Sequence, residues 1–233
     1  MTDFKLASTK AAEKAPSELP QPAAGAGLKK VKAAVITAAH ARPGDQVVSL
    51  GCGTGDVALD LAESGAHVIA VDGSSVALRR LYAASRGQLS SQLEVVVRPI
   101  DCLSLPARSA DLIVTCYAMH RLRDVDKERL VTASFHWLKP GGRLIVADMM
   151  FGRGGSRADR AIIATKVRRL ARRGLGGWWR IIKNGYKYLV RVQDHPASIS
   201  MWTAMFAKAG FEHITATSIV NEAGLVAGRR PPA

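Results

Sequence analysis

Short runs of branched apolar residues alternate along this chain with segments whose apolar positions recur every three or four residues. Gln46–Leu50, His67–Val71, Leu93–Arg98, Asp111–Cys116 and Arg143–Ala147 show the first pattern and predict β-strands. Leu28–Ala41 carries Val31, Val35 and Ala38 at helical intervals and predicts a helix stopped by Pro43-Gly44. Asp56–Ser64, Ser75–Arg86 and Asp126–Leu138 predict three more helices between the strands, the last stopped by Lys139-Pro-Gly-Gly142. Strands separated by helices of this length imply a parallel sheet covered on both faces. Met201–Ala209 then reads as a final helix. His213–Ile219 and Gly224–Gly228 lie too close together for a crossover, so they predict an antiparallel hairpin. The expected class is α/β: a doubly wound sheet of five parallel strands plus a C-terminal antiparallel hairpin.

Length and composition narrow this picture. The 233 residues suit one domain, and 48% of them are apolar, enough for a sizeable core. Residues 1–27, rich in Ala, Pro, Lys and Ser, predict a disordered tail, leaving 28–233 as the domain. No run approaches the ~20 apolar residues of a membrane span. Met1–Lys14 lacks the apolar block of a secretory signal, so a cytoplasmic protein is expected. Cys52, Cys102 and Cys116 have no metal-ligand or disulfide spacing and read as small apolar fillers, with no metal expected.

The densest chemistry lies in Val47-Val-Ser-Leu-Gly51-Cys-Gly53-Thr-Gly55-Asp56, a strand, a glycine turn and a helix start. Glycines there let the backbone approach a ligand, and the helix start presents free N–H groups to an anionic one. Asp72 closes the second strand, where a carboxylate can accept hydrogen bonds from both ribose hydroxyls. Asp101-Cys102 follows the third strand on the same side. The glycines run GxGxG, and Val57 stands where a dinucleotide fingerprint places its last glycine.

With these segments the chain resembles the class I S-adenosylmethionine-dependent methyltransferases, which have a Rossmann-like fold, and in particular their ubiquinone/menaquinone-biosynthesis-like branch. The resemblance covers about Gln46 to Met149 and rests on the glycine turn, on Val68–Ser74, on Pro99–Leu122 and on Trp137–Met149. It implies S-adenosylmethionine as cofactor. Gly51, Gly53 and Gly55 would hold its methionine portion, Asp72 the ribose and Asp101 the adenine amino group. Cys102 would supply a neighbouring backbone N–H, and Thr115 and Cys116 would approach the methionine amino group. The chain departs from the pattern in two places. Ser49 stands where many members carry an acid, and His120-Arg121-Leu122 stands where many read His-His-Leu.

His120 follows the fourth strand, near where the transferred methyl should point. Its imidazole is suited to take a proton from an acceptor hydroxyl or amine, and equally to bond a neighbouring loop as a structural group. Asp148, after the fifth strand, is a second candidate base. Tyr117 is placed to line an acceptor pocket or to pack in the core.

Charge is concentrated in one stretch. Residues 153–191 hold nine Arg and three Lys against Asp159 alone, so most of the net charge of +14 is local. Two amphipathic helices are expected in this basic insertion, at about 153–195, separated by Gly174–Gly177. Three readings compete: a solvated face, an anionic membrane surface, and RNA phosphates. The large apolar residues among the cations favour a lipophilic acceptor and contact with the inner face of a membrane over RNA. The function expected is methyl transfer to a small-molecule or lipophilic acceptor. The alternatives are an RNA methyltransferase and a non-catalytic S-adenosylmethionine- or lipid-binding module.

Overall fold

The computed structural model describes residues 26–85, 89, 91–151, 194–220 and 223–233. Most of the expected tail and of the basic insertion, with its two helices and cationic stripes, lies outside these described residues. Within them the sheet has seven strands: β1 (Gln46–Leu50), β2 (His67–Asp72), β3 (Leu93–Val97), β4 (Ala110–Cys116), β5 (Leu138–Met149), β6 (Glu212–Val220) and β7 (Ala223–Arg229). They lie in the order β3-β2-β1-β4-β5-β7-β6. The first five are parallel neighbours, and β7 runs antiparallel to both β5 and β6. This is the expected Rossmann-like sheet with its terminal hairpin.

The near-continuous apolar strands are explained by burial on both faces. Leu112 and Val114 of β4 face one cluster, packed on helices α1 (Ala26–Ala39), α2 (Asp56–Glu63) and α3 (Ser75–Ala84). Ile113 of the same strand faces the other cluster, packed on α4 (Asp124–Trp137) and α5 (Ile199–Ala209). Leu112 and Ile113 are fully buried, and each contributes about 1.5–3 kcal/mol through its burial.

Several features differ from expectation. Helix α1 begins at Ala26, so the expected tail loses its last two residues to it. Helix α4 ends at Trp137 and the chain passes straight into β5, which therefore includes Lys139–Gly142. The turn residues do not break the strand because Gly141 takes a positive φ of 78° and the register with β4 shifts between Ala110 and Leu112. Finally, His120 sits on a short 3₁₀ turn (Met119–Arg121) that the apolar pattern did not announce.

The strand order determines where a ligand belongs. Connections leave β1 toward β2 on one side and β4 toward β5 on the other, so a crevice opens at the carboxyl ends of β1 and β4. The glycine turn, Asp72, the Ile100–Cys102 turn, His120 and Asp148 all lie at that end.

Candidate active site

The glycine turn is built by close packing as much as by flexibility. Gly51 N–H and Cys52 N–H both donate to Val71 O, which ties the turn across β2. Gly51 has φ 64°, and a Cβ there would stand 2.3 Å from the Ala118 Cβ. Gly53 has φ 56° but nothing within 4 Å of such a Cβ. One glycine is required by the protein and the other leaves room beside it. Gly55 precedes α2 with no side-chain cap on the helix start, so the first N–H groups of α2 have no such partner.

Asp72 connects the turn to the next strand. Its Oδ2 accepts from Gly53 N–H at 2.9 Å and its Oδ1 from Ser74 N–H at 2.8 Å. Each oxygen keeps a second lone pair for a ligand hydroxyl. Asp101 and Cys102 are exposed on a 3₁₀ turn, and the Cys102 N–H donates to Pro99 O at 3.1 Å.

Under the turn is a small cavity of about 30 Å³ lined by Lys32, Ser49, Cys52, Asp56 and Cys116, among others. Lys32, from α1, pairs with Asp56 at the start of α2. The hydrogen bond from Lys32 holds the Asp56 carboxyl below the usual carboxylate range. Burial, with the Asp72 charge second, pushes the Cys52 thiol up to about 12; burial, with Asp148 second, does the same for Cys116. Both therefore stay protonated and act as small apolar fillers. Thr115 points to the other face of the sheet from Val114 and Cys116, as strand alternation requires. Its Oγ1 is buried with no hydrogen-bond partner among the described residues.

The two candidate bases form one unit. Asp148 is 1% exposed, and its Oδ1 lies 2.7 Å from His120 Nδ1. That contact makes Nδ1 the protonated nitrogen of the neutral ring and leaves Nε2 with a free lone pair. Tyr117 meets the ring edge-on at 6.4 Å and holds a left-handed φ of 55°, strain of the kind that gathers at working sites. Asp194 Oδ1 lies 3.9 Å from Nε2 on the open side.

A family model described as a methyltransferase domain matches residues 47–142. That span carries the glycine turn, Asp72, Asp101 and His120. The chain has an S-adenosylmethionine-dependent methyltransferase domain. The domain is 27% identical over 117 residues to an uncharacterized methyltransferase of a Geobacillus species (strain WCH70), covering 50% of this chain and 53% of that one. The chain thus spans about half that relative's length. A ubiquinone/menaquinone biosynthesis C-methyltransferase of Pseudoalteromonas translucida is 26% identical over 208 residues, covering 85% of this chain and 78% of that one. Among solved structures, phosphoethanolamine N-methyltransferase 2 of Haemonchus contortus in complex with S-adenosyl-L-methionine has the same fold. Its TM-score is 0.66 at 14% identity, covering 86% of this chain and 52% of that one.

The residues of the methyltransferase domain fit this cofactor chemically. Gly53 leaves open space, Asp72 has spare acceptor capacity, and Lys32 with Asp56 offers one cation and one anion to a zwitterionic methionine end. Ser49 is neutral and buried, and the Lys32–Asp56 pair supplies charge at the same cavity.

Sequence reasoning missed Lys32, Asp56 and Asp194. Asp56 had the best signal, standing directly after the GxGxG turn. Lys32 is one of several lysines on α1, and the packing of α1 against α2 is what distinguishes it. No helix among the described residues is long and apolar enough to cross a membrane.

Proposed function

We propose that the protein transfers the methyl group of S-adenosylmethionine to a small-molecule acceptor, with His120 as the group that receives the acceptor's proton. The observation that carries this reading is the 2.7 Å contact of His120 Nδ1 with buried Asp148 beside the glycine turn. The cofactor supplies an electrophilic methyl on a good leaving group. The protein has then to position the acceptor and remove its proton.

In this reading Gly51, Gly53 and Gly55 hold the methionine portion, with Lys32 facing its carboxylate and Asp56 its ammonium group. Asp72 takes the ribose hydroxyls, and Asp101 and Cys102 border the adenine. Thr115, buried on the opposite face from Cys116, does not touch the cofactor in this reading. Asp148 fixes the imidazole so that Nε2 faces the acceptor.

Two of the similar proteins bear names that specify small-molecule chemistry, in quinone biosynthesis and on phosphoethanolamine. The first supports the quinone-biosynthesis-like branch. The composition of 153–191 supports a lipophilic acceptor and contact with an anionic membrane surface on the cytoplasmic side.

Incubating the protein with cell extract and methyl-labelled S-adenosylmethionine tests this directly. Label is expected in small organic-soluble metabolites. Label in RNA would replace this reading with an RNA methyltransferase. Tight cofactor binding with no S-adenosylhomocysteine formed would make the protein a binding module.

A further inference from the structure

Lys127 is fully buried, an expensive place for an ammonium group unless it is paired and hydrogen-bonded. It lies on α4, and its Nζ donates to Asp124 Oδ1 at 2.8 Å, one turn back on the same helix. The same Nζ donates to the carbonyl oxygen of His195, a residue 68 positions further along the chain. His195 is held from its other side too, since its backbone N–H donates to the His120 carbonyl oxygen. Pro196 and Ala197 follow, both buried. The backbone of His195 is therefore fixed between α4 and the His120 turn.

The neighbour of this fixed point is Asp194. Its side chain is 60% exposed, yet its Oδ1 stands 3.9 Å from His120 Nε2. That distance is too long for a direct hydrogen bond. His120 is thus flanked by a buried carboxylate on Nδ1 and an exposed carboxylate on Nε2.

We propose that Lys127 is a positioning residue that sets Asp194 against Nε2 of His120, where Asp194 recognises an acceptor bearing a transferable proton, an alcohol, a phenol or an amine. This inference rests on the role of His120 given above. A carboxylate beside Nε2 attracts a hydrogen-bond donor or a protonated nitrogen and repels an anion at the reacting atom. The acceptor's O–H or N–H bond breaks there. The proton passes to Nε2, and the electron pair stays on the atom that receives the methyl group. Burial of the Lys127 charge secures this arrangement without placing a cation beside the imidazole.

The test uses the full chain labelled with ¹⁵N-histidine, with the ring signals of His120 assigned by comparison with His120→Asn. Asp194→Asn and Lys127→Met should each shift the Nε2 resonance and leave Nδ1, bonded to Asp148, in place. The double variant should shift it no further than Asp194→Asn alone, and Lys127→Arg should restore the wild-type position. An Nε2 signal unmoved by Asp194→Asn overturns the proposal, and this variant alters an exposed side chain that folding does not require. A shift with Asp194→Asn but none with folded Lys127→Met reduces Lys127 to a structural role and also overturns it. Calorimetry with S-adenosylmethionine should give affinities within twofold across all variants. Failure of the wild type to bind would sink the methyltransferase reading separately, while the imidazole signals would still report the geometry.

Discussion

Asp148 grips His120 at two points: one carboxylate oxygen accepts the backbone N–H at 2.9 Å, and the other lies 2.7 Å from the ring. The first contact fixes where the residue stands and the second fixes which way its ring turns. Asp148 lies in β5 and His120 on the turn that follows the neighbouring strand β4, so this two-point contact ties the turn to the sheet.

Asp148→Asn keeps the shape and removes the charge. It offers an N–H where a carboxylate oxygen accepted one, so the ring loses its fixed tautomer. Turnover is expected to fall about 10²–10⁴-fold, the usual worth of a positioned general base. The affinity for S-adenosylmethionine should stay near that of the wild type, as measured by calorimetry.

Asp72→Ala removes the acceptor for Gly53 N–H and Ser74 N–H together. Cofactor binding should weaken by about 1–3 kcal/mol, the scale of a lost hydrogen bond to a charged group. Unchanged affinity in a calorimetric titration would mean that this carboxylate serves the turn and not the ligand.

Gly51→Ala and Gly53→Ala separate folding from binding. Both incur the left-handed backbone penalty of about 1–2 kcal/mol. Only the first also drives a methyl group into Ala118, so Gly51→Ala should lower the melting temperature further. Gly53→Ala should remain folded and lose most cofactor affinity, because its methyl group enters the open space. Comparing melting curves with and without S-adenosylmethionine decides between these outcomes.

The cysteines give a prediction in pH. Cys52 and Cys116 are raised from an ordinary value of 9.0 to about 12, so the folded state holds them neutral. Their contribution to stability is complete below pH 9 and declines between 9 and 12, as the unfolded chain releases protons that the folded chain keeps. At pH 8 a thiol reagent should modify exposed Cys102 quickly and the other two only on unfolding. S-adenosylmethionine should slow the reaction at Cys102, as judged by mass spectrometry of the labelled peptides.

The fold was legible in the sequence because strands covered on both faces read as uninterrupted apolar runs, and β1, β2 and β4 follow their runs to within a residue. The start of β5 was not legible, since Pro140 and two glycines normally end an element and here a shift of register absorbs them. His120 and Asp148 could each be singled out by their place after a strand. Their pairing could not, because it depends on which strands are neighbours. Lys127 was the least visible, since a lysine on a helix surface usually reaches water. Its burial arises from a contact 68 residues away in the chain.

Asp148 near the end of β5 and the backbone of His195 both bond to His120, at the carboxyl end of the sheet. The imidazole thus answers to two separate parts of the chain, the buried carboxylate of β5 and the backbone anchored by Lys127, so a change in either one reaches the same ring.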